Sequence, residues 1–376
     1  MSHRYGYLMQ AMLALAGSHL SLYVDDVKNN KALLHRQEAI KGLERSFTHW
    51  PPKAEEAHVM LATSYILAFQ SGYLADGFLD HILNIRGCAL ISNMILKMDL
   101  RGTFSMDQQI HDMVLKVRLD KVPSLDQPLT QDALRSLASF SHLLRDPDAR
   151  DIERALFAQL VVALRALLIR TPCHTPSDSP SDNPPIQVDP NDFWSKSTEG
   201  FSQSVLPLLP NSLAASFEDV DALSASAVDI TAVPDDHEPR PLLSFKALTS
   251  GLLILATWPQ DEVLPLFSTD NKLGCVIMAH FCAVRFVVAP LSAPDTVMRT
   301  PIKGMVEWCE KILDSVKDDE DIKWTRYVQW PARVLRAIRC GIELKRSLSF
   351  GDLYEILTLD PGAILEGRLS TMSVTS

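Results

Sequence analysis

Apolar side chains recur at intervals of three and four residues through the first hundred positions, and this spacing is the strongest constraint on the fold. The first stripe consists of Tyr5, Leu8, Met9, Met12, Leu13, Ala16, Leu20 and Tyr23. Side chains at such intervals share one side of an α-helix, so the stripe predicts a helix with an apolar face. No sustained alternation of apolar and polar residues predicts a β-sheet.

Three more helices are expected before residue 100. The second runs between Asn30 and Trp50, and Pro51 ends it. Its apolar face is expected to hold Leu33, Ile40, Leu43 and Phe47, with the charged residues Lys31, Arg36, Lys41 and Arg45 elsewhere. The third, over 54–70, is apolar nearly all round and should be buried, and the fourth covers 78–98. Short breaks between these helices favour an antiparallel helical array over a βαβ fold.

The helical pattern continues beyond residue 125, with Thr130 and Asp148 as candidate N-caps and Pro301 in the first turn of a later helix. Prolines among Ser, Asp and Asn interrupt it over 171–192, a composition typical of a loop or linker. We therefore expect one large all-α domain, a multi-helix array of about a dozen helices. Its N-terminal part is 1–170, its C-terminal part is 193–360, and 361–376 is a frayed tail.

Charge and cysteine usage limit the functional classes. The chain has 36 Lys and Arg against 46 Asp and Glu, a net charge of -10, which disfavours broad contact with a phosphate backbone. The six cysteines lie far apart, as expected of reduced thiols inside a cell. The longest apolar run, 273–291, contains His280 and Arg285, which disfavours a transmembrane span.

The local signatures of common catalytic and cofactor sites are missing. The chain has no Gly-x-Gly dinucleotide fingerprint, no Gly-x-Ser-x-Gly elbow, no His-Glu-x-x-His and no Cys-x-x-Cys. Cys275, Cys282 and His280 lie close in sequence but lack further metal ligands, so we interpret the two cysteines as small core residues. We predict no catalytic residue, no metal and no cofactor, and expect that the chain is not an enzyme.

Several segments resemble one family when they are taken in order. Residues 7–20 read YLMQAMLALAGSHL, residues 35–43 read HRQEAIKGL, residues 67–70 read LAFQ and residues 83–87 read LNIRG. Residues 279–284 read AHFCAV, and Trp308 and the run YVQWP at 327–331 follow. These segments resemble the regulatory domain of fungal binuclear-zinc-cluster transcription factors, especially the sterol uptake control type. The resemblance covers the two ends of the chain, and no segment in the middle of the chain resembles the family.

The resemblance implies an all-α effector and dimerisation domain of a transcriptional regulator. It implies a protein partner or a homodimer, and a hydrophobic small molecule that represses activity in the nucleus, with a cytoplasmic ligand-bound form. We assign the helix over 273–289 as one wall of the pocket, with Met278 and Phe281 as ligand contacts and Arg285 as the anchor for a polar group. Plain core packing, with Arg285 at its edge, is the alternative for these residues.

The family's six-cysteine zinc cluster and the basic stretch behind it are absent from these residues. The resemblance therefore implies contact with DNA only through a zinc cluster that this chain lacks. Two other functions remain open from the sequence. One is a stand-alone decoy or scaffold regulator without DNA binding, and the other is an accessory protein or enzyme of small-molecule metabolism.

Overall fold

The structure is a computed structural model that describes residues 4–21, 30–48, 50–75, 77–102, 127–168, 241–289, 301–317, 323–345, 352–353 and 356–357. Of these residues 84% are helical and none lies in a strand, so the all-α prediction is confirmed. The helices are α1 Gly6–Leu20, α2 Asn30–Phe47, α3 Ala54–Ser71, α4 Gly77–Lys97, α5 Gln127–Phe140, α6 Asp151–Arg165, α7 Pro241–Thr257, α8 Gln260–Val263, α9 Lys272–Val287, α10 Lys303–Lys317, α11 Lys323–Tyr327 and α12 Gln329–Lys345. Two 3₁₀ turns, Ser141–Arg145 and Leu264–Phe267, follow α5 and α8.

The first four helices form an up-and-down array, in which α1 packs on α2 and α3, and α3 packs on α4. Small residues allow the helices to approach closely. A Cβ atom at Gly17 would lie 3.1 Å from the Cβ of Ala32, and one at Gly42 would lie 2.5 Å from the Cβ of Tyr7. These two contacts join opposite ends of α1 and α2, so the predicted antiparallel arrangement of these helices is confirmed.

The apolar faces predicted for α1 and α2 are partly wrong. Leu8 is buried and Ile40 and Leu43 pack against buried clusters, as predicted, but several large residues do not. The inward residues of α1 are Leu8, Ala11, Ala14 and Ser18, and those of α2 include Ala32, Arg36, Ala39 and Ser46. Met12, Leu13, Leu20, Leu33 and Phe47 are instead exposed. The close helix contact admits small side chains and leaves the large ones outside.

The remaining helices share one large apolar core. Its members come from α5 and α6 as well as from α7 to α12, so helices on both sides of the undescribed range 169–240 contribute to it. Helix α9 lies within this core, and every residue from Gly274 to Val287 except Arg285 is buried. The predicted linker 171–192 and tail 361–376 lie outside the described residues.

Helix α4 connects the N-terminal array to the large core. Its first turns supply Phe78 and Ile82 to the large core, and the Phe78 ring lies 4.6 Å from the ring of Trp308 on α10. Its later residues, Cys88 and Ile91 among them, pack in a separate cluster with α3. The Arg86 guanidinium, between these two parts, donates to the carbonyl oxygen of Leu255 on α7 at 3.0 Å.

Three predicted helix starts are displaced. Helix α5 begins three residues before Thr130, and α10 begins at Lys303, after Pro301. Helix α6 begins at Asp151 rather than after Asp148, because the Glu153 carboxylate accepts a hydrogen bond from the Arg150 backbone nitrogen at 2.9 Å. Among the helices in the described ranges, none has both the length and the apolar character needed to cross a bilayer.

Candidate functional site

The three predicted ligand residues lie on one face of α9. Met278, Phe281 and Arg285 are separated by three and four positions, which stacks their side chains along the helix. Met278 is 0% exposed and Phe281 is 1% exposed, whereas Arg285 keeps partial contact with solvent. The structure therefore brings the three residues together at one edge of the core.

Helices α7 and α4 supply the surroundings of this face. The Phe281 ring lies against Gly251 of α7, where a Cβ atom would come within 2.8 Å of the ring edge. The Arg285 guanidinium lies 5.8 Å from the centroid of the same ring, in a cation–π arrangement. Burial lowers the pKa of Arg285 from its usual value.

A half-buried histidine of α4 lies near this group. His81 is hydrogen-bonded through Nδ1 to the carbonyl oxygen of Ala68 at 3.0 Å. Burial, together with a smaller effect of the nearby Arg285 charge, lowers its pKa to about 4. The imidazole is therefore neutral at physiological pH and leaves Arg285 as the cation of this group.

Met278 and Phe281 have almost no contact with solvent. A ligand that touches both must occupy an enclosed space beside them or enter as α9 separates from its neighbours. Both the pocket and the plain core arrangement are compatible with this packing, so the assignment of Met278, Phe281 and Arg285 to a ligand site stays a prediction.

The opposite face of α9 carries a buried histidine that links three helices. His280 Nδ1 lies 2.8 Å from the carbonyl oxygen of Val276, and its Nε2 lies 2.8 Å from Ser136 Oγ on α5. The carbonyl can only accept, so Nδ1 carries the proton and Nε2 accepts from the serine hydroxyl. The ring also packs on Phe140 and on Trp330 of α12.

This serine–histidine pair has the contact of a nucleophile and its base. Burial lowers the pKa of His280 to about 4, however, which makes it a poor general base near neutral pH. Ser136 also lies in the last turns of α5 and not at a helix N-terminus, where backbone N–H groups are available to an oxyanion. The pair is better suited to tying α5 to α9.

A buried arginine links the N-terminal helices and was not expected from the sequence. The Arg36 side chain of α2 is 8% exposed. Its guanidinium donates to the Leu67 carbonyl oxygen at 3.1 Å, Gln70 Oε1 at 2.5 Å, Ser71 Oγ at 3.1 Å and Asp80 Oδ2 at 3.0 Å. Gln70 in turn donates to Ser18 Oγ of α1 at 2.9 Å, so the network includes all four N-terminal helices.

Burial lowers the pKa of Arg36, and Asp80 opposes this shift. By its charge alone, Arg36 would be predicted to lie on the exposed face of α2 with Lys41 and Arg45. Its spacing, four residues after Ala32 and three before Ala39, is the signal that places it on the inward face.

A second polar link joins the starts of two core helices. Asn271 caps α9 by accepting from the Gly274 backbone nitrogen at 3.0 Å through Oδ1. Its Nδ2 donates at 2.7 Å to the carboxylate of Glu153, which is 2% exposed near the start of α6. The residues are 118 positions apart, and no local pattern connects them.

Cys275 and Cys282 match their interpretation as small core residues, whereas Cys340 on α12 is exposed. Cys275, Cys282 and Cys309 are buried free thiols. Burial raises the pKa of Cys275 to about 11, and it also raises the pKa of Cys309, which contacts Cys282. In the part of the chain that the structure describes, no three His, Cys, Asp or Glu side chains form a metal-binding group.

Comparison of the chain with family models, with curated proteins and with solved structures gives no match. The resemblance to the zinc-cluster regulators therefore depends on the quoted segments.

Proposed function

We propose that this chain is a transcriptional regulator, the effector and dimerisation domain of a fungal zinc-cluster factor of the sterol uptake control type, and that it acts in the nucleus. The observation that carries the proposal is that the resembling segments contact one another. Arg36, within 35–43, donates to Leu67 and Gln70, within 67–70. His280, within 279–284, stacks on Trp330, within 327–331.

These contacts support the proposal because chance similarity between separate apolar helices would not require the similar segments to touch. Arg86, within 83–87, adds a link from the N-terminal array to α7. The resembling residues thus supply several of the polar and aromatic contacts between helices, as residues that maintain a common helical scaffold would.

Control by a hydrophobic small molecule is the second part of the proposal. Met278 and Phe281 would contact the apolar body of the ligand, and Arg285 would bind its polar group. The same region borders α4, which belongs to both the N-terminal array and the large core. A ligand that moved α9 against α4 would therefore change how the two parts pack, and the ligand-bound form would be kept in the cytoplasm.

DNA would be read by a zinc cluster that these 376 residues do not contain. A decoy or scaffold regulator would use the same helical contacts without any DNA reader, and co-purification of a zinc-cluster protein with the chain would favour that function. An enzyme is less well supported, because the Ser136–His280 pair has a poor base.

The experiment is a fusion of the full chain to an unrelated DNA-binding domain, placed on a reporter gene in yeast. We expect reporter output to change several-fold relative to the DNA-binding domain alone at equal protein level. Equal output from the two proteins would contradict an effector role.

A further inference from the structure

Two cysteines of the large core contact each other between neighbouring helices. Cys282 on α9 and Cys309 on α10 are both 0% exposed, and their thiols are hydrogen-bonded to each other. Both cysteines are free. Because a disulfide forms only where the fold places two cysteine side chains in contact, this pair meets the first condition for one.

A cation lies beside one member of the pair. Arg285 follows Cys282 by three residues on α9, so the two side chains are neighbours along the helix. Burial lowers the pKa of Arg285, and the charge of a Cys282 thiolate opposes this shift. The attraction is mutual, so the guanidinium stabilises the thiolate, which is the form of cysteine that attacks an oxidant.

The two thiols are therefore not equivalent. Burial raises the pKa of Cys309, and its contact with Cys282 acts in the same direction. Cys282, beside the guanidinium, is the sulfur suited to react first, while Cys309 stays a protonated thiol. Arg285 keeps partial contact with solvent, so a small oxidant has a short path to Cys282.

We infer that Cys282 and Cys309 are a redox pair, which a hydroperoxide converts to a disulfide that ties α9 to α10. The Cys282 sulfur attacks one oxygen of the peroxide, and the O–O bond breaks. Cys282 becomes a sulfenic acid, and its proton leaves with the other oxygen as water or an alcohol. The Cys309 thiol then attacks this sulfur, and its proton leaves with the hydroxyl group as water. The peroxide accepts the two electrons that the two sulfurs lose.

The disulfide would restrain the helix to which we assign the ligand. Helix α10 also carries Trp308, whose ring packs on Phe78 of α4. A bond between α9 and α10 would therefore oppose movement of α9 relative to α4. A ligand whose entry requires that movement should bind the oxidised chain several-fold more weakly. This consequence rests on the proposed function, whereas the redox pair itself does not.

Disulfide mapping of the full chain tests the pair. The reduced protein is treated with hydrogen peroxide, the remaining thiols are alkylated, and the tryptic peptides are analysed by mass spectrometry. Trypsin releases residues 273–285 and 304–311, so the expected product is these two peptides joined by a disulfide.

The first of these peptides also contains Cys275, and Cys275→Ser is therefore the matched control. Cys275 is buried on the same helix but donates to the Ser268 carbonyl oxygen at 3.3 Å, and a serine hydroxyl keeps that donor. We expect the joined peptides from wild type and from Cys275→Ser at similar yield, and none from Cys282→Ser or Cys309→Ser.

The order of reaction has its own readout. In Cys309→Ser the sulfenic acid at Cys282 has no second thiol to react with, so dimedone should label it. We expect this labelling to exceed that of Cys309 in Cys282→Ser by about ten-fold or more. Circular dichroism checks that each variant is folded, and an alanine variant replaces any serine variant that is not.

Absence of the joined peptides from peroxide-treated wild type would overturn the inference. Joined peptides that persist in Cys282→Ser would assign the bond to Cys275 and would overturn it as well. Equal dimedone labelling of the two single variants would overturn the roles assigned to the two sulfurs. A disulfide in a chain that binds no fluorescent sterol, reduced or oxidised, would contradict only ligand control.

Discussion

The imidazole of His280 on α9 stacks on the indole of Trp330 on α12, with ring centroids 5.9 Å apart and an angle of 18° between the planes. The stack lies inside the large core, where His280 is 0% exposed. A proton added to this ring would create a buried charge whose hydrogen-bond acceptors are limited to the Val276 carbonyl and Ser136 Oγ. The same penalty applies to His81 on α4, so both histidines make stability dependent on pH.

Stability should fall as the pH falls from about 6.5 towards 4. In the unfolded chain both histidines have a pKa near 6.5, whereas burial lowers the pKa of each to about 4 in the fold. Between these values the unfolded state binds more protons, so the free energy of unfolding decreases with decreasing pH. Each histidine contributes at most about 3 kcal/mol, fully present above pH 6.5.

Urea unfolding between pH 4.5 and 7.5 measures this dependence. His81→Asn keeps a donor for the Ala68 carbonyl but cannot titrate, so it should reduce the slope by up to about 1.4 kcal/mol per pH unit. His142→Gln, at an exposed position, is the matched control for the removal of an imidazole. An unchanged slope in His81→Asn would contradict the neutral state of the His81 imidazole.

Loss of the Arg36 network should destabilise the N-terminal helices. Arg36→Met removes donors from the Leu67 carbonyl, Gln70 and Ser71, and we expect a loss of about 2–4 kcal/mol in the free energy of unfolding. Asp80 is half exposed and contributes little to this loss. Lys41→Met, which breaks the exposed pair with Glu38, should change stability by less than about 0.5 kcal/mol. Equal effects of the two variants in urea unfolding would contradict the network.

Two glycine-to-alanine substitutions should change the free energy of unfolding in opposite directions. At Gly274 an added Cβ would lie 2.5 Å from Asn271 Nδ2, so Gly274→Ala displaces the α9 cap and its bond to Glu153 and should cost about 1–2 kcal/mol. At Gly87, within α4, the nearest atom to an added Cβ is Ser64 Oγ at 3.8 Å. Gly87→Ala should therefore stabilise by about 0.5–1 kcal/mol. Thermal melting shows whether each variant is more or less stable than the wild type. Stabilisation by both substitutions would contradict the capping role of Asn271.

Ligand binding and core packing can be separated at α9. Phe281→Ala should cost about 3–5 kcal/mol whether or not a ligand binds, because the ring is fully buried. Arg285→Gln should weaken the binding of a fluorescent sterol several-fold while lowering stability less than Phe281→Ala. Val276→Ala, on the opposite face, should reduce stability and leave sterol affinity unchanged. If Met278→Ala and Phe281→Ala alter stability but not affinity for the bound sterol, these residues do not form the ligand site.

The helix class and most helix positions follow from the three-and-four spacing, because that spacing depends on local geometry. Which face of a helix turns inward depends on its neighbours, and α1 shows the difference. Its large residues Met12 and Leu13 fit the apolar stripe but lie outside, because Gly17 and Gly42 bring the backbones of α1 and α2 too close for them.

The hydrogen bonds of Arg36 and of Asn271 could not be predicted from the sequence for a related reason. Arg36 differs from Lys41 only in its position on the helix, and the pairing of Glu153 with Asn271 depends on how α6 and α9 meet. Met278, Phe281 and Arg285 could be placed on one face from their spacing, but spacing does not show whether that face encloses a ligand.

Reporter output as a function of sterol supply tests the central proposal most directly. The full chain, fused to an unrelated DNA-binding domain, is expressed in yeast that is either replete with or depleted of sterol. We predict that output rises several-fold on depletion, and that Arg285→Gln abolishes this response while leaving the amount of fusion protein unchanged. Output that equals that of the DNA-binding domain alone under both conditions would contradict the proposed function.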